Sequence, residues 1–384
     1  MGCRAAVLTG KGTSALATVM VAGDTAATLL CQLLHPTPIP EPGQVNLCNW
    51  VTQTGTIDQV TLGRETPDCF AIHCHGNPLI VEQIMEHLRH AGAELLEAEA
   101  WTFLFQKQQQ ASLIEVEIAM AQAQTKTLLG ARLLEKQKNY GLLPWVKSWQ
   151  QQIPTLETLR TTAAEVLKRS TSARYSIHGC KVALIGPPNS GKSTLFNCLL
   201  GRDKALVTDI EGTTRDYLDA ELTLDDLHLH LIDTAGLDTA LLQQHNGHLD
   251  RAAQEQTAQQ LEEADLVLLT LDGSRSPAQL ERLPLDILSP LRTIAVINKS
   301  DLPQELTELP TERFMTTLHL SALHDTGMTE LFGALRSFCG VTDLNIAQPA
   351  VFTLRQHDIL ERLQECHERS QAESLIHGLL QGSP

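Results

Sequence analysis

The sequence has few aromatic residues, a shortage of positive charge and no long apolar run. Aromatic residues make up 4% of 384, and 29 Lys and Arg stand against 45 Asp and Glu, for a formal net charge of −16. This acidic balance argues against a protein built mainly to coat nucleic acid, while leaving room for a local basic patch that contacts RNA. No stretch approaches the roughly 18 apolar residues of a membrane-spanning helix, and no secretory signal follows Met1. We therefore expect a cytoplasmic protein without a membrane partner.

The nine cysteines form no recognisable disulfide framework, because their number is odd and their spacings are scattered. Such cysteines are typical of the reduced thiols of a cytoplasmic protein. Cys69, His73, Cys74 and His75 suggest a zinc site, but adjacent residues of a strand point to opposite faces, and no second ligand pair is present. We therefore expect buried strand thiols there and no metal.

The first half of the chain changes its pattern twice. Residues 1–77 consist of short apolar runs broken by Gly and Pro, which predicts strands and turns. A helix should follow and end near Gly92. Residues 113–169 are polar-rich and helical in pattern, and we expect Pro144 and Pro154 to divide them.

The pattern changes again near Ser176, where strand-like runs begin to alternate with helical segments. The candidate strands are Lys181–Ile185, the two runs that flank Asp225-Asp226, Leu266–Leu271 and Thr293–Ile297. The alternation predicts an α/β domain with a mostly parallel sheet, and Asp225-Asp226 predicts a hairpin. After Phe338 the chain becomes helical again. Thr155 and Thr353 are placed to cap helices on either side of this domain.

The α/β domain is thus expected as an insertion between two helical stretches that pack together. We predict a small α+β domain at 1–117, a helical domain formed by 118–176 and 344–384, and the inserted α/β domain at 177–343.

A phosphate-binding loop is the strongest motif. Gly186-Pro-Pro-Asn-Ser-Gly191-Lys192-Ser193 has the spacing G-x-x-x-x-G-K-[ST] between an apolar run and a helix. Its glycines let backbone N–H groups surround phosphate oxygens at a helix N-terminus. Lys192 should reach the β- and γ-phosphates, and the Ser193 hydroxyl should bind Mg²⁺. The predicted nucleotide contacts here are Asn189, Ser190, Gly191, Lys192, Ser193 and Thr194.

Two further motifs follow strands. Asp233-Thr-Ala-Gly236 places a carboxylate where a second-shell Mg²⁺ ligand belongs and a glycine N–H where it can sense the γ-phosphate. In Asn298-Lys299-Ser300-Asp301, the Asp301 carboxylate can accept both guanine N1–H and the exocyclic amine, whereas adenine offers neither pairing. Ser321-Ala322 should place a backbone N–H near the guanine oxygen. The predicted nucleotide is GTP.

Between the phosphate loop and the second strand lies a segment that contains Thr208, Ile210, Thr213 and Thr214. Thr214 is the natural residue to complete Mg²⁺ coordination when the γ-phosphate is present. The segment is then expected to be ordered by GTP and released on hydrolysis.

Together the motifs resemble those of the Era-like bacterial GTPases. A G domain inserted in a helical domain behind this N-terminus, with Cys74-His75-Gly76, is similar to the MnmE/TrmE family of tRNA modification GTPases. The resemblance implies a P-loop GTPase that forms a homodimer and modifies the tRNA wobble uridine with a flavoprotein partner. It also implies that K⁺ substitutes for an arginine finger, with the Asn189 and Thr213 side chains and the Thr208 and Ile210 carbonyls as ligands.

The sequence departs from that family at several positions. The family's water-orienting glutamate falls on His245, so hydrolysis is expected to be slow or differently assisted. The family's folate-contacting arginine, glutamate and lysine fall on Met20, Ala71 and Gln110, and its Arg-Pro-Gly-Glu-Phe stretch is replaced by Glu97-Ala-Glu-Ala-Trp101. Its terminal Phe-Cys-Ile-Gly-Lys has no counterpart in the last residues. These departures argue against folate binding.

Three hypotheses stay open. The chain is a working tRNA wobble-uridine modification GTPase, a diverged regulatory or RNA-assembly GTPase without folate chemistry, or a GTP-binding scaffold without meaningful turnover.

Overall fold

The computed structural model describes residues 2–9, 12–36, 39–52, 55–108, 112–201, 218–233, 261–282, 285, 288–306 and 309–382. The chain divides into two compact units, Met1–Ser112 and Leu113–Pro384.

The first unit is a seven-stranded sheet with three helices. Its strands are β1 (Arg4–Val7), β2 (Leu16–Ala22), β3 (Leu34–His35), β4 (Val45–Thr52), β5 (Gly55–Thr66), β6 (Cys69–His75) and β7 (Glu94–Leu95). Its helices are α1 (Ala26–Leu33), α2 (Pro78–His90) and α3 (Ala98–Gln108). The strand order is β3-β4-β5-β6-β2-β1-β7, antiparallel except for the parallel pair of β1 and β7.

One face of this sheet carries the main core of the unit. Alternate residues of β2, β5 and β6 pack with residues of α1 and α2, and the most deeply buried include Trp50, Phe70 and Ile72. The helix before Gly92 is confirmed as α2. The prediction of only strands and turns over residues 1–77 is wrong at α1. That helix is eight residues long, and its Thr25 N-cap makes no side-chain hydrogen bond, so it lacks the usual start signal.

The second unit begins with four helices and returns to two helices at its end. These are α4 (Leu113–Gln124), α5 (Leu128–Asn139), α6 (Leu142–Gln151) and α7 (Leu156–His178), and later α10 (Leu354–Glu365) and α11 (Arg369–Gln381). Pro144 does not divide the chain as predicted. It lies in the first turn of α6, where a missing N–H is tolerated, and the break falls before it at Tyr140 and Gly141. The predicted boundary after residue 117 lies inside α4.

Helices from both ends of this unit share one core. Buried residues of α4 to α7 pack with those of α10 and α11 in a single apolar cluster. Gln137, fully buried on α5, donates from Nε2 to the carbonyls of Ile346 (2.9 Å) and Gln348 (3.0 Å) and accepts from the Ala350 N–H (3.0 Å). Arg355 makes two 2.7 Å bonds to the Glu117 carboxylate. The helices that precede and follow the α/β segment are therefore packed together. The segment between α7 and α10 is an insertion, as predicted.

The inserted segment is a six-stranded sheet with helices. Its strands are β8 (Cys180–Ile185), β9 (Leu218–Thr223), β10 (His228–Asp233), β11 (Leu266–Asp272), β12 (Thr293–Asn298) and β13 (Thr316–His319), with helices α8 (Lys192–Leu200) and α9 (Met328–Cys339). The order is β13-β12-β11-β8-β10-β9, parallel except for β9. The hairpin at Asp225-Asp226 is confirmed by the pairing of β9 with β10.

Apolar residues cover both faces of this sheet, as a parallel sheet requires. The central strand β8 pairs with β10 on one side and β11 on the other. The carboxyl ends of these strands therefore meet at one edge, beside the point where the strand order reverses, and ligands of such sheets bind there. Thr155 and Thr353 cap α7 and α10 through their side chains, as predicted. The three-domain division stays a prediction.

Among the helices of the described ranges, none has the length and apolar character needed to cross a lipid bilayer.

Candidate functional site

The segment between β8 and α8 is a tight loop that tolerates glycine alone at two positions. Gly186 has φ +152°, and a Cβ there would lie 2.0 Å from the Thr270 carbonyl oxygen on β11. Gly191 has φ +94°, and a Cβ there would lie 2.2 Å from Asn298 Nδ2. Both distances are far below van der Waals contact. The two motif glycines are therefore required by close packing as well as by backbone conformation.

The Lys192 side chain is buried against the backbone of this loop. Its residue is 7% exposed, and its ammonium donates to the carbonyls of Gly186 (3.0 Å) and Pro187 (3.1 Å). The side chain thus folds back across the loop from the first residue of α8. A cation fixed here at a helix N-terminus makes the loop an anion-binding site.

The remaining predicted loop contacts differ in what they offer. Asn189 is exposed with φ +63°, and Ser193 and Thr194 are exposed on the first turn of α8. These three residues are therefore accessible from solvent. Ser190 is fully buried, and its hydroxyl has no hydrogen-bond partner among the described residues.

Asn298 joins the phosphate loop to the segments that follow β12 and β13. It is 2% exposed, and its Nδ2 donates to the Ser190 carbonyl at 3.0 Å. Its Oδ1 accepts from the N–H groups of Lys299 (2.8 Å) and Ala322 (3.0 Å). One buried side chain therefore satisfies three backbone groups from three segments, which fixes their relative positions.

The placement of a Ser321-Ala322 backbone N–H near the guanine oxygen stays a prediction. The Ala322 N–H donates to Asn298, and the Ser321 N–H donates to the Thr326 carbonyl at 3.0 Å. The buried Asn298 oxygen thus has a backbone donor from the segment that follows β13.

Asp301 is the exposed acid of this region. Its Oδ1 accepts a 2.5 Å hydrogen bond from the Ser321 hydroxyl. That bond lowers the pKa of Asp301 below the ordinary value of an aspartate, so the carboxylate stays ionised well below neutral pH. The other oxygen lies 3.8 Å from His324 Nε2. An ionised, accessible carboxylate is what recognition of two guanine donors needs.

Lys299 has a buried partner that the sequence analysis missed. Its ammonium lies 2.7 Å from Asp272 Oδ2, at the carboxyl end of β11. Asp272 is 3% exposed, and Ser274 donates to its Oδ1 from both N–H (3.0 Å) and Oγ (2.7 Å). Burial alone raises the pKa of Asp272, but hydrogen bonds from Lys299 and Ser274 outweigh it and leave the pKa lowered. The available signal was an acid at the end of a strand that neighbours the phosphate-loop strand.

We expect Asp272→Asn to weaken guanine-nucleotide binding, because Lys299 loses the charge that positions it. A hydrogen bond between charged groups contributes roughly 1.5–3 kcal/mol, so the Kd for GDP should rise on the order of 10- to 100-fold. Calorimetric titration measures the change. Asp265→Asn is the matched control, because Asp265 lies before the opposite end of β11 and pairs with Arg174. Equal Kd values for Asp272→Asn and the unmodified chain would contradict the positioning role.

Of the remaining predicted residues, Asp233 has a described backbone position and the others do not. Asp233 ends β10 in register with Leu184 of β8, so its backbone lies at the same edge as the phosphate loop. Thr208, Ile210, Thr213, Thr214, Gly236 and His245 lie outside the described residues.

No zinc-like cluster forms in the part of the chain that the structure describes. Groups of three or more potential metal ligands are absent there. Burial, with contributions from Glu65 and Asp68, raises the pKa of Cys69 to about 11, and burial next to Asp58 raises that of Cys74 to about 11. His75 Nδ1 lies 2.6 Å from Asp58 Oδ1.

A phosphate loop after β8, an ionised carboxylate at Asp301 and the Asn298 bridge between them define a P-loop GTPase. Residues 181–299 match the family described as "50S ribosome-binding GTPase". A tRNA modification GTPase MnmE of Thermotoga petrophila is 27% identical over 99% of this chain and 90% of its own length. That of Synechococcus sp. (strain CC9605) is 30% identical over 79% of this chain and 71% of its own length. The chain belongs to the MnmE family of tRNA modification GTPases, and it is a GTP-hydrolysing enzyme.

Among solved structures, the G domain of the T. maritima FeoB iron transporter matches with 27% identity and a TM-score of 0.32. The match covers 42% of this chain and 99% of that G domain.

The folate prediction concerns an apolar patch of the first unit. Where the family resemblance places charged folate contacts, Met20 and Ala71 are buried in an apolar cluster with Trp101, Ala6 and Cys69. A cavity of about 90 Å³ borders Trp101, whereas pockets for small molecules measure roughly 300–1,000 Å³. Gln110, the third predicted position, lies outside the described residues. Met20 and Ala71 therefore offer a folate no charged group, while Arg4, Asp24 and Asp68 are among the residues that line the cavity.

Proposed function

We propose that this chain couples GTP hydrolysis to modification of the wobble uridine of tRNA. The observation that carries the proposal is the match to tRNA modification GTPases along 99% of the chain, rather than along its GTPase segment alone. The Asn298 bridge supports it, because the elements for phosphate and for guanine are joined in one buried network.

Mass spectrometry of tRNA from cells that lack this protein tests the proposal. We expect the modified wobble uridine to be lost and to return when the unmodified chain is supplied. A Lys192→Ala chain should fail to restore it, since the loop then lacks its fixed cation. Unchanged wobble uridines in the deletion strain would reject the proposal.

A diverged regulatory or RNA-assembly GTPase is the second candidate, and the apolar patch around Trp101 favours it. A one-carbon donor bound as folate needs charged partners, and Met20 and Ala71 supply none. Calorimetric titration with a reduced folate separates the two candidates. Heat of binding at millimolar ligand would support folate-dependent modification, and its absence would support the second candidate.

Within the site we propose roles for residues inside and outside the described ranges. Ser193 and Thr214 coordinate Mg²⁺, Asp233 acts on that ion through water, and Gly236 senses the γ-phosphate. His245 orients the hydrolytic water. Asn189, Thr213, Thr208 and Ile210 hold K⁺, and the exposed position of the Asn189 amide supports this assignment.

We also propose a homodimer that works with a flavoprotein partner in the cytoplasm. Val45 and Leu47 on β4 are each about 60% exposed, and neighbouring apolar side chains on a sheet surface are typical of protein contacts. All nine cysteines are free thiols, which supports a reducing compartment.

We expect GTP turnover to be faster in KCl than in NaCl at equal ionic strength. K⁺ takes the place of an arginine finger, and such fingers contribute on the order of 10³–10⁵ in rate. Steady-state phosphate release measures the ratio, and Asn189→Ala should abolish the difference between the salts. Identical rates for the unmodified chain in both salts would exclude the cation.

A further inference from the structure

The helices α5 and α6 carry an unusual balance of charge for this chain. Between Glu117 and Glu157 there are five basic residues and a single acidic one, Glu135, within a chain of net charge −16. The basic residues are Lys126, Arg132, Lys136, Lys138 and Lys147. The acidity of the protein is therefore interrupted at this pair of helices.

Most of these cations face solvent without a partner. Arg132, Lys138 and Lys147 are exposed, and no carboxylate of the described residues forms an ion pair with any of them. Lys136 lies 3.7 Å from Glu135, its neighbour in sequence. The opposite sides of both helices are committed to the core through Leu133, Leu134, Leu142, Leu143, Val146 and Trp149. The positive charge is thus left available to a ligand in solution.

An aromatic ring lies beside one of these cations. Tyr140 follows the last residue of α5, and at 66% exposure it is the most exposed aromatic side chain of the described ranges. The Lys136 ammonium lies 4.8 Å from the centroid of its ring. Exposed aromatic rings beside lysines are typical stacking platforms for unpaired bases, because every base has a π-face. An acidic protein that only neutralised these cations would not need an exposed aromatic ring beside them.

We propose that Arg132, Lys136, Lys138, Tyr140 and Lys147 form a basic helical surface that binds the RNA substrate. The lysines and Arg132 contact phosphates, and Tyr140 stacks on a base that is not paired, as found in RNA loops. The assignment rests on the proposed function, since it names the surface of this chain that a tRNA contacts. It adds a binding site remote in sequence from the phosphate loop and the guanine motif.

Fluorescence polarisation of a labelled tRNA transcript against the full chain tests this surface. The triple variant Arg132→Ala, Lys138→Ala, Lys147→Ala should bind on the order of 10- to 100-fold more weakly at low salt. Each phosphate contact contributes about 0.7–0.9 to the slope of log K against log salt, so that slope should fall by about 2–3. The matched control is Lys168→Ala, Arg362→Ala, Arg369→Ala, which removes the same charge from other exposed helix positions.

Tyr140 supplies a second, independent readout. Tyr140→Ala should weaken binding of the tRNA but leave binding of a fully paired RNA of the same length unchanged, and Tyr140→Phe should restore the tRNA affinity. GDP binding and circular dichroism of every variant establish that the fold is retained.

Each outcome decides a separate point. Loss in the triple variant alone supports the surface. Equal affinities of the two triple variants for tRNA would overturn it while the proposed function stands. Unmodified chain that binds GDP but no tRNA would count against the proposed function itself. Retained tRNA binding with lost binding of an acidic protein partner would also overturn the RNA assignment.

Discussion

Asp301→Asn should change the nucleotide preference of this GTPase from GTP to xanthosine triphosphate. We propose that the Asp301 carboxylate accepts two donors of guanine, whereas an asparagine amide offers one acceptor and one donor, which matches xanthine. Two charge-assisted hydrogen bonds at roughly 1.5–3 kcal/mol each correspond to a loss of GTP affinity on the order of 10²–10⁴. Competition between the two nucleotides for the bound state measures the exchange.

Ser321→Ala is the control for that experiment. It removes the 2.5 Å hydrogen bond to Asp301 but keeps the carboxylate. GTP affinity should then fall by roughly 10-fold or less, without a gain for xanthosine triphosphate. Unchanged GTP preference in Asp301→Asn would refute the assignment of Asp301 to the base.

Gly191→Ala should abolish tight nucleotide binding by breaking the link between the two halves of the site. Its φ of +94° strains any L side chain, and its new Cβ would lie 2.2 Å from Asn298 Nδ2. The strain costs roughly 1–2 kcal/mol, and the displaced Asn298 loses a buried hydrogen bond of roughly 1–3 kcal/mol. We therefore expect GDP affinity to fall on the order of 100-fold or more, together with a lower melting temperature.

Gly333→Ala is the matched control. Gly333 is exposed within α9, and a Cβ there meets no atom within 4 Å. Alanine should stabilise that helix by up to about 1 kcal/mol and leave GDP binding unchanged. If Gly191→Ala bound GDP as tightly as Gly333→Ala, the requirement for close packing at the loop would be disproved.

Much of the fold could be predicted because its signals are local. The caps Thr155 and Thr353, the Asp225-Asp226 hairpin and the strand before Gly186 are each determined by residues within a few positions. Helix α1 was not predicted, because it lacks the local signal of a side-chain cap.

The site could be predicted only as far as its motifs extend. Asn298 contacts the Ser190 carbonyl across 108 positions of sequence, and the Thr270 carbonyl closes on Gly186 from a neighbouring strand. Asp272 reaches Lys299 in the same way. These contacts arise from the order of parallel strands, which places their carboxyl ends together. No local pattern contains that order, so the partners of the motif residues appear only in the folded chain.

Equilibrium dialysis of the full chain against labelled GDP, with unlabelled GDP or ADP as competitor, tests the central claim most directly. The account predicts saturable binding that excess GDP displaces and that the same excess of ADP leaves intact. Binding that ADP displaces as readily, or no retention of the guanine nucleotide at all, would contradict it.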